Sequence, residues 1–173
     1  MLELTKRLDA NTECEVFDSL ILPYELRIRG RLKGVTEKGH DVGLFLDRGP
    51  VLRDGDLLEA KTGEVIRVHA ANEPVTTAYI NGTLPLARLC YHLGNRHTLL
   101  AVGQDEDGRC WVRMTPDHVL EELALLLGAT LTHHQAPFDP ESGAYAHAGR
   151  EQSHDHSHDH SHGHHHHGHQ HEH

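Results

Sequence analysis

Histidines recur near the C-terminal end of the chain at a spacing that suits metal binding. The series includes His154, His156, His158 and His160 and continues to His173. In an extended chain, alternate side chains point to the same side, so each His-x-His pair presents two imidazoles together. Neutral imidazole is a strong ligand for nickel, copper and zinc ions, and its unperturbed pKa of about 6.5 leaves most rings neutral at cytosolic pH. These residues therefore predict transition-metal binding.

The residues between the histidines argue against a purification tag. Such a tag is usually an uninterrupted run of about six histidines, whereas the longest run here is the four residues His164–His167. Residues 150–173 contain no apolar side chain that could join a core, so we predict a disordered tail. Flexible histidine tracts discriminate poorly among metals, since copper outranks nickel in the usual affinity order. The tail alone therefore indicates a transition metal without identifying it.

A second group of candidate ligands follows a predicted helix. Apolar residues at helical spacing over residues 84–93 predict that helix, and Gly94 is a natural end for it. His92 falls in the last helical turn, and His97 falls in the connector that follows, where functional side chains are frequent. Cys90 lies on the apolar stripe of the helix, so we interpret it as a core residue. His92 and His97 are therefore retained as candidate ligands.

The remaining histidines are weaker candidates. His118 lies in the first turn of a second predicted helix, where simple exposure to solvent would explain it equally well. His133 and His134 are adjacent on a predicted strand, so their side chains point to opposite faces and at most one can join a shared site. His40 and His69 have no partners nearby in the sequence, and we interpret both as ordinary surface histidines.

The motifs of catalysis are missing from the sequence. It contains no glycine-rich phosphate loop, no His-Glu-x-x-His and no serine or cysteine nucleophile motif. We interpret Glu121 and Glu122 as solvated charges on a helix face. A metal-dependent hydrolase would need an activated water beside a fixed general base, and no such constellation is visible. We therefore interpret the chain as non-enzymatic, with the hydrolase as the weakest alternative.

Charge and cysteine content exclude further classes of protein. With histidine counted as neutral, the formal net charge is −10, which suits neither nucleic acid nor an anionic membrane. The three cysteines, Cys14, Cys90 and Cys110, form no Cys-x-x-Cys pair and no disulfide framework. The first residues lack the charged start and apolar run of a signal peptide, and no apolar stretch approaches membrane-spanning length. We therefore expect a cytoplasmic protein.

The elements that position these residues form two predicted folded parts of an α+β protein. Over residues 1–73, short alternating segments are separated by glycine turns, which is typical of a small all-β barrel or sandwich. Over residues 74–149, strand and helix patterns follow the order βαββαβ, the ferredoxin-like arrangement. The predicted strands are 25–29, 42–46, 64–68, 75–80, 98–102, 110–114 and 129–135, and the predicted helices are 84–93 and a second helix that Thr115 caps and that ends at Leu127.

The heptad Tyr91–His97 closely resembles the corresponding segment of the urease accessory nickel chaperones, the UreE family. Residues 46–56 resemble the signature of the family's first domain, and residues 70–73 resemble the junction between its domains. Residues 117–121 and 137–145 also fit the family pattern. These matches occur in the right order over nearly the whole chain and are jointly specific.

This resemblance implies a homodimer joined through the ferredoxin-like domains. It implies that His97 of both subunits forms a shared metal site, to which residues near the start of the tail, His147 above all, add ligands. His92 and His118 also match family positions, whereas some relatives carry a histidine at the position of Pro116. The resemblance further implies a cargo of Ni²⁺, with Zn²⁺ and Cu²⁺ also expected to bind. The expected partners are the urease accessory GTPase and the apo-urease maturation complex, and the β domain is expected to engage partner proteins.

A different function remains open. The chain could be a general nickel or zinc storage or buffering protein that acts mainly through its histidine-rich tail. That hypothesis predicts that deletion of the tail abolishes nickel-dependent effects, whereas replacement of His97 changes those effects little. A nickel chaperone for urease predicts the opposite dependence on His97.

Overall fold

Six strands and one short helix make up the first half of the described chain. The structure, a computed structural model, describes residues 1–9 and 11–142. The elements are β1 (Leu2–Leu8), β2 (Asp18–Leu22), α1 (Tyr24–Arg27), β3 (Arg31–Val35), β4 (Asp41–Phe45), β5 (Leu57–Ala60) and β6 (Val65–Ala70). The strands form one sheet in the order β2-β6-β5-β1-β4-β3. Its core includes the fully buried side chains of Leu4, Leu44, Leu58 and Ile66. The alternating apolar residues of these strands account for that core, because successive side chains point to opposite faces.

The two outer strands of this sheet, β2 and β3, are brought together by the turn that follows β3. The backbone N–H of Glu37 donates to the carbonyl of Ser19 over 2.9 Å. The buried Asp18 carboxylate accepts from the backbone N–H groups of Ser19 and Lys38 and lies 2.9 Å from Nδ1 of His40. The sheet is therefore barrel-like and nearly closed, as the sequence predicts. His40 is exposed, as interpreted from the sequence, and through Asp18 it also helps to join the two edges.

The hydrogen bonds around Asp18 make this joint sensitive to acid. Burial alone would raise the pKa of the Asp18 carboxyl, but hydrogen bonds from Thr36, His40, Ser19 and Lys38 hold that pKa well below its usual range. A carboxyl whose pKa is lowered on folding stabilises the protein when ionised. That contribution is fully present above the unfolded-state pKa of about 4 and is lost as the pH falls towards the lowered folded-state value.

We expect Asp18→Asn to lower the free energy of unfolding at pH 7, because the amide cannot accept the same charge-assisted hydrogen bonds. The difference from wild type should narrow at pH 3, where the wild-type contribution is itself being lost. Urea unfolding at both pH values measures the effect. Asp41→Asn is the matched control, since Asp41 is an exposed carboxylate on the same sheet. A deficit that is equal at both pH values would contradict the assignment.

Four strands and two helices follow. The elements are β7 (Asn72–Tyr79), α2 (Thr83–Gly94), β8 (Ala101–Gln104), β9 (Cys110–Met114), α3 (His118–Leu126) and β10 (Thr130–Pro137). Their sheet has the order β10-β7-β9-β8, and all neighbouring strands are antiparallel. The predicted α+β class and the ferredoxin-like βαββαβ order are therefore confirmed. Residues Met1–Ser142 form one compact unit, and the division into domains at residue 73 stays a prediction. None of the helices within the described ranges is long and apolar enough to cross a membrane.

The N-terminus of α3 is capped differently from the sequence prediction. The Asp117 carboxylate accepts hydrogen bonds from the backbone N–H groups of Val119 and Leu120, at 2.9 and 3.1 Å. Thr115 lies outside the helix, so its predicted role as the cap is wrong. An aspartate at this position satisfies free N–H groups and also places negative charge at the positive end of the helix dipole.

The prediction of a strand at residues 25–29 is also wrong, because residues 25–27 belong to the helix α1. Pro23 precedes this helix, and the backbone N–H of Tyr24 donates to the Glu73 carboxylate over 2.7 Å. Arg27, which the period-two pattern places on a solvent face, is buried instead. Tertiary contacts with residues distant in sequence therefore override the local alternation.

Candidate metal centre

Helix α2 carries the first candidate ligands and is anchored by one apolar face. Leu89 and Leu93 are fully buried against the second sheet, and Cys90 packs against the same core, as predicted. Leu84 and Tyr91, two turns apart on the helix, are exposed to 60% and 68%. Their spacing of seven residues places them on a common face. The helix therefore presents an apolar stripe to solvent beside the turn that ends it.

His97 lies in that turn in a left-handed backbone conformation that is uncommon for residues other than glycine. Its φ is 55°, and it is the one non-glycine residue with positive φ in the described part of the chain. Its backbone N–H donates to the carbonyl of Gly94 over 3.0 Å, and the N–H of Arg96 donates to that of Leu93. Glycine or asparagine usually occupies this left-handed position after a helix, because a Cβ is disfavoured there. A strained residue of this kind suggests a functional reason for the side chain.

The side chain of His97 is open to solvent. Downstream in the same connector, Leu99 is 46% exposed, and the exposed Tyr91 lies six positions before His97 in the sequence. His92 is also exposed, in the last turn of α2, and its ring contacts the edge of the Tyr91 ring at 5.2 Å between centroids. Contiguous exposed apolar patches with polar residues at their rim are typical of interaction surfaces. The arrangement suits an imidazole that meets another molecule.

The segment that precedes the tail runs beside this connector. We call residues 138–142 the root segment. The backbone N–H of Glu141 donates to the carbonyl of Leu100 over 2.8 Å, and Leu100 is three positions after His97 in the sequence. Phe138 is almost completely buried in a third apolar cluster with Val75, Ala101 and Ala136. The described chain therefore ends at a fixed point close to the His97 connector.

Two arginines of the first half hold the root segment in place. Arg27 has a side chain with 0% exposure, and its Nη1 donates to the Leu52 carbonyl and to the Asp139 carboxylate, both over 2.8 Å. Its Nη2 donates to the carbonyl of Phe138. Arg53 lies 3.2 Å from Asp139. We call Arg27 and Arg53 the clamp. This clamp was not predicted from the sequence, although Arg53 and the root segment both fall within the family-like stretches.

Arg53 also binds the residues after Asp139. Its Nη1 donates to the carbonyl of Pro140 over 2.6 Å, and its Nη2 donates to Oγ of Ser142 over 3.0 Å. Guanidinium groups suit this task, since their several N–H donors have a fixed planar geometry. The root segment is therefore fastened along its length to the first half of the chain.

His118 lies apart from this group on α3. It is exposed and, with Glu121 and His133, it lines a shallow depression beside β10. Glu121 accepts from the Thr76 hydroxyl over 2.6 Å and lies 3.1 Å from Nε2 of His133. The Thr76 hydrogen bond and the pairing with His133 lower the pKa of the Glu121 carboxyl, against the effect of burial. The interpretation of Glu121 as a solvated charge is therefore wrong, whereas Glu122 is exposed as expected.

Two further histidines have structural partners. His134 Nε2 lies 2.8 Å from the Thr77 hydroxyl, whereas His133 faces α3, so the predicted separation to opposite faces is confirmed. His69 Nδ1 lies 3.3 Å from the Asp54 carboxylate. These rings serve local hydrogen bonding within the fold.

The predicted ligands are divided between the described and the undescribed parts of the chain. His92, His97 and His118 are described, whereas His147 and the series His154, His156, His158 and His160 lie outside the described residues. Within residues 1–9 and 11–142, no group of three or more histidine, cysteine, aspartate or glutamate side chains is placed to hold a metal ion.

Comparison with known protein families covers both halves of the chain. Residues 4–71 match the N-terminal domain of the UreE urease accessory protein, and residues 65–173 match its C-terminal domain. The chain belongs to the UreE family. UreE proteins are urease accessory proteins, so this chain belongs to a family that serves urease maturation.

Close relatives within the UreE family span most of their own length and most of this chain. The urease accessory protein UreE of Pseudoalteromonas translucida is 78% identical over 154 residues, which cover 89% of this chain and 91% of that protein. The protein of the same name from Marinobacter nauticus is 64% identical over 159 residues, covering 89% and 88%. That of Psychromonas ingrahamii is 43% identical over 154 residues, covering 89% and 97%. The resemblance seen in the sequence motifs is therefore confirmed at the level of the family.

Proposed function

We propose that this UreE family member is a non-enzymatic nickel chaperone that carries Ni²⁺ as cargo to apo-urease. The observation that carries the proposal is His97, an exposed imidazole in a left-handed conformation where glycine would fit with less strain. Backbone outliers of this kind cluster at functional sites, which supports a role for His97 beyond folding. Imidazole is a suitable ligand for nickel, and membership of a urease accessory family supports nickel as the cargo.

We further propose that two copies of the chain meet around His97. The exposed apolar side chains of Leu84, Tyr91 and Leu99 supply a surface that a second copy would cover. In a two-fold dimer the same patch is used on both subunits, so a residue near the axis meets its own counterpart. Two His97 rings at the axis would supply two ligands and leave other coordination positions open.

The tail completes this site in our proposal. His147 lies five positions after Ser142 in the sequence, and five residues of extended chain reach about 17 Å. The hydrogen bond between Glu141 and Leu100 holds the chain just before this stretch near the His97 connector. His147 then adds a ligand to the shared site, and His154, His156, His158 and His160 collect further ions. His92 and His118 remain secondary candidates.

Exchange of the ligands around the nickel ion accounts for its delivery to a partner. Two imidazoles from His97 retain the ion, whereas ligands from the tail can be replaced by those of a partner. We propose that the partners are the urease accessory GTPase and the apo-urease maturation complex, and that transfer takes place in the cytoplasm. Zn²⁺ and Cu²⁺ are expected to bind the same donors, since histidine sites follow the general affinity order of divalent metals.

A second candidate function is storage or buffering of nickel or zinc by the tail. The density of histidines between His154 and His173 favours it. In that case the folded residues would serve mainly to anchor the tail, and His97 would contribute little. Removal of the tail distinguishes the two functions, because storage requires the tail histidines whereas delivery requires His97.

We expect truncation after Arg150 to reduce the number of bound nickel ions but to leave one tight site per dimer, because His97 and His147 remain. Isothermal titration with Ni²⁺ and sedimentation analysis measure the stoichiometry and the dimer together. The full-length chain provides the reference, and urease activation in cells provides the functional readout. Loss of every tight site on truncation would contradict the chaperone proposal and favour storage.

A further inference from the structure

A groove rich in arginine lies on the first sheet, away from the histidines discussed above. It has a volume of about 660 Å³ and is lined by three arginines, Arg7, Arg31 and Arg48, with one carboxylate, Asp47. Ile28 also lines the groove and is 55% exposed. Three guanidinium groups are therefore gathered at one place on a chain whose net charge is −10.

One wall of the groove is built into the fold. Arg7, near the end of β1, donates from Nη1 to the carbonyl of Pro50 over 2.6 Å. The backbone at Gly49 lies against the same guanidinium, so that a Cβ added there would be 3.5 Å from Cζ of Arg7. The loop that carries Arg48 is thus fastened to β1. The position of the Arg7 guanidinium in the groove is therefore fixed by the fold.

The other two arginines are available to a ligand. Neither the Arg31 nor the Arg48 side chain makes an ion pair or hydrogen bond with any residue that the structure describes, Asp47 included. Both residues are exposed. Guanidinium groups bind carboxylates through two parallel hydrogen bonds, which makes them specific for planar anionic groups.

We propose that this groove binds an extended acidic segment of a protein partner. Carboxylates of the segment pair with Arg31 and Arg48, and an apolar side chain next to them packs on Ile28. The negative charge of the whole chain disfavours a long polyanion such as nucleic acid, whereas a short acidic peptide needs only the local positive charge. The inference rests on the proposed function, since it supplies a docking place for a partner in nickel transfer.

The direct test uses a defined probe. A fluorescein-labelled hexapeptide of alternating glutamate and leucine is titrated with the full-length, metal-free protein in EDTA at pH 8, where the tail carries neither metal nor much positive charge. We expect binding that weakens with added salt. The double variant R31E/R48E should bind at least about tenfold more weakly. R67E is the matched control, because Arg67 is an exposed arginine on β6 that does not line the groove.

Three results would overturn the proposal. They are absence of peptide binding to the wild-type protein, equal losses for R31E/R48E and R67E, and full competition by millimolar inorganic phosphate, which would indicate a site for small anions only. Nickel titration of R31E/R48E distinguishes this inference from the proposed function. R31E/R48E should bind nickel as tightly as the wild-type protein. Weak nickel binding by the wild-type protein would contradict the proposed chaperone function, whereas the peptide titration alone tests the groove.

Discussion

Replacing His97 with asparagine is expected to remove the tight nickel site and to leave the stability of the folded chain almost unchanged. Asparagine tolerates the left-handed backbone conformation at φ 55°, so the substitution deletes the imidazole without adding strain. Loss of an outer hydrogen-bond partner of a metal ligand already costs about 10- to 100-fold in affinity. Loss of a ligand from both subunits should therefore weaken nickel binding by at least about 100-fold.

The measurement is a nickel titration of the chain truncated after Arg150, so that the tail histidines do not mask the result. Thermal unfolding of the metal-free protein checks the fold. His69→Asn is the matched control, since His69 lies on β6 beside Asp54 and outside the proposed nickel site. Alanine is a less suitable replacement at residue 97, because the left-handed conformation costs it about 1 to 2 kcal/mol. Tight binding and normal urease activation by His97→Asn would refute the proposed site.

Replacing Arg27 with methionine is expected to produce the largest loss of stability. Methionine fills a similar space but leaves the Leu52 and Phe138 carbonyls and the Asp139 carboxylate without the donors that Arg27 provides. Removal of one partner from a buried ion pair typically costs about 3 to 5 kcal/mol. Asp139 is 31% exposed and keeps Arg53 as a partner, so the free energy of unfolding of the metal-free chain should fall by an amount at the lower end of that range.

Urea unfolding measures this loss, and Arg53→Met is the comparison. Arg53 binds the same root segment, but about a third of its side chain is exposed, so water can replace part of what is lost and the effect should be smaller. Equal stability of Arg27→Met and wild type would show that the clamp contributes nothing to the fold.

The sequence predicts the regular elements well where local pattern and tertiary packing agree. Strand β9 has the predicted bounds, Cys110–Met114, and the turn at Gly108 adopts the positive φ that glycine permits. The segment at residues 25–29 shows the opposite case. Its alternation resembles a strand, but the Glu73 carboxylate at the N–H of Tyr24 and the burial of Arg27 favour a helical turn. Those contacts cross the boundary between the two sheets and have no local signature.

The candidate site is predictable in part for similar reasons. The position of His97 after a helix follows from apolar spacing and from Gly94, whereas its left-handed backbone does not. The contact between Arg27 and the root segment could not be predicted from local sequence pattern, because Arg27 and Asp139 are 112 positions apart. Pairing at that distance depends on how the chain folds as a whole. Sequence pattern therefore locates the candidate ligand, and only the fold reveals what fixes the root segment.

The backbone conformation of His97 has a practical consequence for anyone who wishes to make this protein more heat-resistant. Glycine at a left-handed position relieves the strain that a Cβ causes, by about 1 to 2 kcal/mol, so a selection for thermal stability alone would favour His97→Gly. Stabilising substitutions often reduce function when they relax a strained site. Such a selection would enrich variants that melt at higher temperature and lack the imidazole of the proposed shared nickel site. Screens on this scaffold should therefore keep residue 97 constant.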